Sequence, residues 1–213
     1  MMRGICVAGV DMDGHWVRPV KLPEFDFSPQ QLSQKGRVVV EPYNEVEFRL
    51  GQHLNNSPQS EDVEAVAAGP ILMRTLNEIQ LLSLMQQKDE HQGVADNGND
   101  LEGWLVGMNR SLVLTRVDEV LRAYRNTYGD GRRQRRIVFR VHDKFFNLPC
   151  TDLRWRRMTR DDRDAEALEI SKSSRTIYLA LGLPRIFQGH YYPMVVGVHP
   201  LPKLVGDVDY ADL

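Results

Sequence analysis

Long apolar runs are missing from this 213-residue chain. No stretch approaches the roughly 20 apolar residues that cross a bilayer, and the N-terminus lacks the layout of a secretory signal. A cytoplasmic protein with no membrane partner is expected. Cysteine is nearly as scarce: Cys6 and Cys150 are the only two and form no CxxC pair. That excludes a zinc site of the usual spacing and predicts two free thiols buried in apolar surroundings. The six histidines, at 15, 53, 91, 142, 190 and 199, form no HxH or HxxxH pair, so neither a metal nor a cofactor is expected. Also absent are the G-x-S-x-G elbow, the P-loop, G-x-G-x-x-G and H-E-x-x-H. Asp161, Asp162 and Asp164 occupy the expected first turn of a helix, and Asp11 and Asp13 a turn that suits them, so neither group needs a catalytic role. The chain reads as a non-enzyme. A metal-dependent nuclease built from scattered carboxylates is the one enzyme reading left open.

What is present is a composition able to bury a core, 42% hydrophobic and 26% charged. The net charge of −2 conceals a strong segregation. Residues 131 to 160 carry ten Arg or Lys against Asp143 and Asp152, an excess of +8 that leaves −10 elsewhere. Such a patch is the electrostatic footprint that phosphate backbones attract, although arginines on a solvated face also serve solubility alone.

Periodicity organises the chain. "RGICVAGV", the Asp13-Gly14 turn and "HWVRPVKL" predict a hairpin, with Pro19 and Pro23 placing its second strand at a sheet edge. In "NEVEFRL" Val46, Phe48 and Leu50 alternate with Glu45, Glu47 and Arg49, a half-buried strand. Residues 60 to 87 read as helical, interrupted at Gly69-Pro70, with Leu72, Leu76, Ile79 and Leu82 on one face. "QQKDEHQGVADNGNDLEG" reads as a long polar, mobile loop. Strands return with "SLVLTRV", "EVLRAYRNTY", the basic stretch "GDGRRQRRIVFRVHDK" and "LRWRRM". A short helix over "TRDDRDAEALEISKSS", a final hairpin turning at Gln188-Gly189 and a loose acidic tail complete the pattern.

The basic stretch can be resolved by alternation. Ile137, Phe139 and Val141 share one face; Arg136, Val138, Arg140, His142 and Lys144 share the other. Tyr124 and Tyr128 join the basic face if the preceding turn takes residues 129 to 131. Tyr124 faces Ile137 and the core if only Asp130-Gly131 turn. Arg132, Arg133, Arg154 and Arg156 extend the patch, and Trp155 is expected to plug the core rather than stack a ligand. Trp16 is expected to pack and Arg18 to meet a carboxylate.

The runs "ICVAGVDMDGHWVRPV", "LVLTRV", "FFNLPCTDLRW" and "YLALGLPRIFQGHYYPMVVGV", in this order, resemble the dual OB-fold family of prokaryotic, conflict- and defence-associated proteins. The resemblance implies a mainly β chain with two short helical regions and two OB-like barrels. These are set at residues 1 to 100, with the helical segment and polar loop, and 101 to 213, with the basic hairpin. It also implies binding of nucleic acid or nucleotides and brings no catalytic set. The expected function is a non-catalytic module gripping single-stranded DNA or RNA through the basic β-face. The alternative is a nucleotide-sensing or protein-docking subunit of a prokaryotic defence complex, the arginines then meeting a protein partner's acids or a bound nucleotide.

Overall fold

The computed structural model describes residues 4–23, 26–66, 69–129, 131, 133–153, 155 and 176–202. Its contacts fall into two units, divided between Leu81 and Leu82. The expected helix over 159–174 and the acidic tail lie outside the described residues.

The first unit holds β1 (Gly9–Val10), β2 (Trp16–Val20), β3 (Ser33–Gln34), β4 (Arg37–Val38), β5 (Asn44–Glu47), β6 (Leu50–His53), β7 (Asp62–Ala65) and β8 (Ile71–Thr75). The β1–β2 turn forms as its sequence directs. Gly14 takes φ +83°, and the Asp11 carboxylate accepts the His15 amide at 2.7 Å. β2 does not end at an edge; it lies between β1 and β7, parallel to the latter. Pro19 is tolerated there because β1 covers only Trp16 and Val17. The Arg18 amide points the other way and donates to the Glu61 carbonyl at 2.8 Å, so the amide missing at Pro19 lies beyond the end of β1. Beside it the Arg18 side chain meets Asp62, as expected, at 2.5 Å.

The expected helix over 60 to 87 is replaced by two strands followed by α1 (Glu78–Lys88). Val63 is buried in β7 between β2 and β6, and β8 pairs with β5. The three- and four-residue spacing of leucines across Gly69-Pro70 was therefore coincidental: Leu72 belongs to a strand, and Ile79 is 81% exposed. The alternating segment 45 to 50 is likewise divided, β5 pairing with β8 and β6 with β7.

The second unit contains α2 (His91–Asp96), α3 (Leu101–Gly107), β9 (Leu112–Val117), β10 (Glu119–Thr127), β11 (Arg133–Val141), β12 (Lys144–Pro149), β13 (Thr176–Gly182) and β14 (Met194–Leu201). The expected polar loop is in fact the end of α1 followed by α2 and the start of α3. Val94, Ala95, Leu101 and Leu105 bury a thin apolar stripe that the surrounding polar residues hide, and Asp100 caps α3 by accepting the Gly103 amide at 2.8 Å.

Hydrogen bonding gives two three-stranded sheets here, β10-β11-β12 and β14-β13-β9. They are laced at two places. β9 runs into β10 across the single residue Asp118, whose amide donates to the Arg140 carbonyl at 2.9 Å. Past the end of β12, Cys150 bridges Val195 of β14 in parallel, and the Thr151 amide donates to the Val195 carbonyl at 2.8 Å. With β9 and β10 counted as one bent strand, the circuit is five-stranded, the arrangement of an OB-fold. Its core gathers Ile137, Phe139, Val141, Phe146, Leu179, Leu181 and Val195, with α2 and α3 contributing Val94 and Leu105. Trp155, 1% exposed, plugs this core as expected. Cys150 is buried too, whereas Cys6 is exposed, against expectation. "RGICVAGV" places only Gly9 and Val10 in a strand and bridges Ile5 to Phe27, which leaves Cys6 outside any sheet face.

Candidate nucleic-acid interface

The hairpin of β10 and β11 sets Tyr124 opposite Arg136 and Thr127 opposite Arg133. This is the register of the three-residue turn, with Gly131 at φ +79°. Ala123, Ile137 and Phe139 therefore point into the core, while Tyr124, Arg136, Val138 and Arg140 share the outer face. Tyr128 belongs to the same face by alternation and is bonded there, its hydroxyl donating to Gln134 Oε1 at 2.6 Å.

Lys144 is not on this face. His142 and Asp143 form the next turn, His142 at φ +51°, and Lys144 returns opposite Val141 on the inner side, beside Gly98. Counting alternation straight through that turn misplaced it. His142 is exposed at the turn rather than in the strand, and Arg133 is exposed with the parity of Ile137. Arg132, Arg154 and Arg156 lie outside the described residues.

The outer face carries three residues that the sequence did not single out. Arg122 enters by alternation with Tyr124, and a bulge between Val120 and Arg122 turns Val120 back to the core opposite Phe139. Asn147 and Phe145 enter because Phe146, opposite Phe139, takes the core position of β12 and stacks on that ring at 5.0 Å. The signal for both was the His142-Asp143 turn, which resets the alternation.

These side chains form one network. Arg136 donates from Nε to Asn147 Oδ1 at 2.9 Å, from Nη1 to Gln134 Oε1 at 2.8 Å, and from Nη2 to the Asn147 carbonyl. The Asn147 amide donates to the Tyr124 hydroxyl at 3.0 Å. The Arg122 guanidinium lies 4.6 Å from the centre of the Tyr124 ring. Among the described residues no carboxylate pairs with Arg136, so the guanidinium is fixed in place by neutral groups with N–H groups to spare. At the far end of the sheet the balance changes. Arg140 lies 3.7 Å from Glu119, and Asp118 accepts the His142 amide at 2.6 Å and faces His91 Nε2 at 3.4 Å. The His91 and His142 rings approach to 4.4 Å.

Among the described residues one group, Asp11, Asp13 and His15 at the β1–β2 turn, brings candidate ligand atoms within 4.8 Å of one another. All three are exposed, and Asp11 already holds the turn.

A model of the dual OB-containing domain matches residues 1 to 198. The chain belongs to that family. No curated protein and no solved structure matches it. OB-folds present oligonucleotide sites on the face of their second and third strands and on the adjoining loops. In the second unit of this dual OB protein, β11 and β12 hold those places. A dual OB domain thereby suggests a nucleic-acid-binding module. Among the described residues no helix is long and apolar enough to cross a membrane.

Proposed function

We propose that this protein is a non-catalytic module that holds single-stranded DNA or RNA on the outer face of β10, β11 and β12. The observation that carries the reading is Arg136, which among the described residues is held by amide and carbonyl groups of Gln134 and Asn147 and by no carboxylate. A guanidinium fixed without a carboxylate keeps its attraction for phosphate and loses little side-chain entropy on binding. Arg122 and Arg140 extend the positive face along the strands. Tyr124, Tyr128 and Phe145 add ring surface on which bases can stack.

The test is fluorescence anisotropy with labelled single-stranded oligonucleotides at several salt concentrations. Replacing Arg122, Arg136 and Arg140 together by Gln is expected to weaken binding and to flatten log affinity against log salt by roughly 0.7 per lost contact. These exposed or half-exposed sites lie outside the core, so thermal unfolding is expected to shift by no more than about 6 °C. A second reading, a protein-docking subunit of a prokaryotic defence complex, draws on one observation. Ile186, Phe187 and Tyr192 in the β13–β14 loop are 59%, 61% and 48% exposed, an apolar tip suited to a protein partner. Absence of any salt-sensitive affinity for DNA or RNA would favour it.

A further inference from the structure

We infer that the outer face ends in a base-specific pocket for an unpaired guanine, an inference that rests on the nucleic-acid reading above. A shallow depression is lined by Asp118, Arg140, His142, Asp143 and Phe145. Phe145 stands directly opposite Arg140 and is 69% exposed, although its neighbour Phe146 is buried at 5%. Strand parity thus presents a large ring to solvent beside a cation, which is the composition of a base-stacking platform.

The polar groups around the ring decide which base it takes. Asp118 already accepts the His142 amide at 2.6 Å and lies 3.4 Å from His91 Nε2. Arg140 gives one N–H to the His142 carbonyl at 2.9 Å, lies 3.7 Å from Glu119, and of its five N–H groups keeps others to donate. Asp143, exposed on the turn, offers two carboxylate oxygens to the same depression. Guanine alone among the bases has two adjacent donors on its pairing edge, N1–H and the N2 amine, with the O6 acceptor beside them. Two donors match a carboxylate, and O6 matches a guanidinium. Thymine and uracil would turn carbonyls toward Asp143, and adenine and cytosine a ring-nitrogen lone pair. Because this is the edge used in base pairing, the pocket also favours a single strand over a duplex.

The experiment is an anisotropy titration with thymidine oligonucleotides of about ten residues, within the span of one OB-fold, whose central base is thymine, guanine or hypoxanthine. Guanine is expected to bind about tenfold more tightly than thymine, as one good bidentate pair provides. Hypoxanthine, which lacks the N2 amine, should lose most of that gain. Asp143→Asn should collapse the guanine-to-thymine ratio, and Phe145→Ala should weaken every oligonucleotide. Thermal unfolding of both variants checks that they fold. Equal binding of guanine and thymine by the unaltered protein would overturn the guanine pocket while leaving the nucleic-acid reading intact. A ratio unchanged in Asp143→Asn would remove Asp143 from recognition. No binding to any of the three oligonucleotides would overturn both readings.

Discussion

Asp152 shows how much of this protein depends on single buried polar groups. It is 7% exposed, and its two oxygens accept the Trp155 amide at 2.7 Å and the Val198 amide at 2.9 Å. One carboxylate thereby ties the chain after β12 to β14, where the two sheets of the second unit meet. Asp152→Ala would remove the acceptor of two amides in the core, and a loss of about 3 kcal/mol is expected in urea unfolding. In the first unit Arg18 and Asp62 form a pair with side chains 13% and 4% exposed. Asp62→Asn leaves a buried guanidinium uncompensated and is expected to cost about 3 kcal/mol by the same measurement. Residues whose role follows from type were legible in the sequence: Trp155 as a core plug, Arg18 as a carboxylate partner, Ile137 and Phe139 as inward positions. Asp152 was not, because both of its donors are main-chain amides, one brought close only by the fold. Lys144 was misread because one turn residue in the left-handed region reverses the parity of everything after it.

A period of two was read correctly along β11, but over 45 to 50 it ran across the break between β5 and β6, and the mixed periods were misread. The sequence specified the β10–β11 hairpin except for the bulge between Val120 and Arg122 and the turn length, which the Tyr124–Arg136 pairing settles at three residues. The segment 60 to 75 failed because leucine spacing carries no information across a Gly-Pro break, and α2 and α3 because their buried stripes span so few residues. β13 gives an element-level test. Tyr178, buried at 2% exposure, has its phenol raised above the usual value, mainly by burial and further by Asp89, with Arg116 opposing. The folded chain holds a proton that the unfolded chain releases near pH 10, so this contribution is complete below that pH and is lost as pH rises through the folded value. Chemical denaturation between about pH 9 and 11 should show stability falling by up to roughly 1.4 kcal/mol per pH unit from this group. Tyr178→Phe should flatten the decline.

At the scale of the whole molecule, the mainly β character and the dual OB architecture followed from hairpin spacing and from the family resemblance. The contacts that lace the second unit's sheets did not. Cys150 to Val195 joins residues far apart in sequence, and no local period records such a pairing. That lacing makes β11 and β12 the second and third strands of an OB circuit, and the proposed function places nucleic acid on their outer face. The most direct test is to follow the backbone amide resonances of the full chain during titration with an unlabelled single-stranded oligonucleotide. Saturable shifts are expected to concentrate between residues 119 and 149, strongest at Arg136, Arg140 and Phe145 and weakening with added salt. Shifts confined to residues before Leu82, or none at any oligonucleotide concentration, would contradict a binding face on β10, β11 and β12.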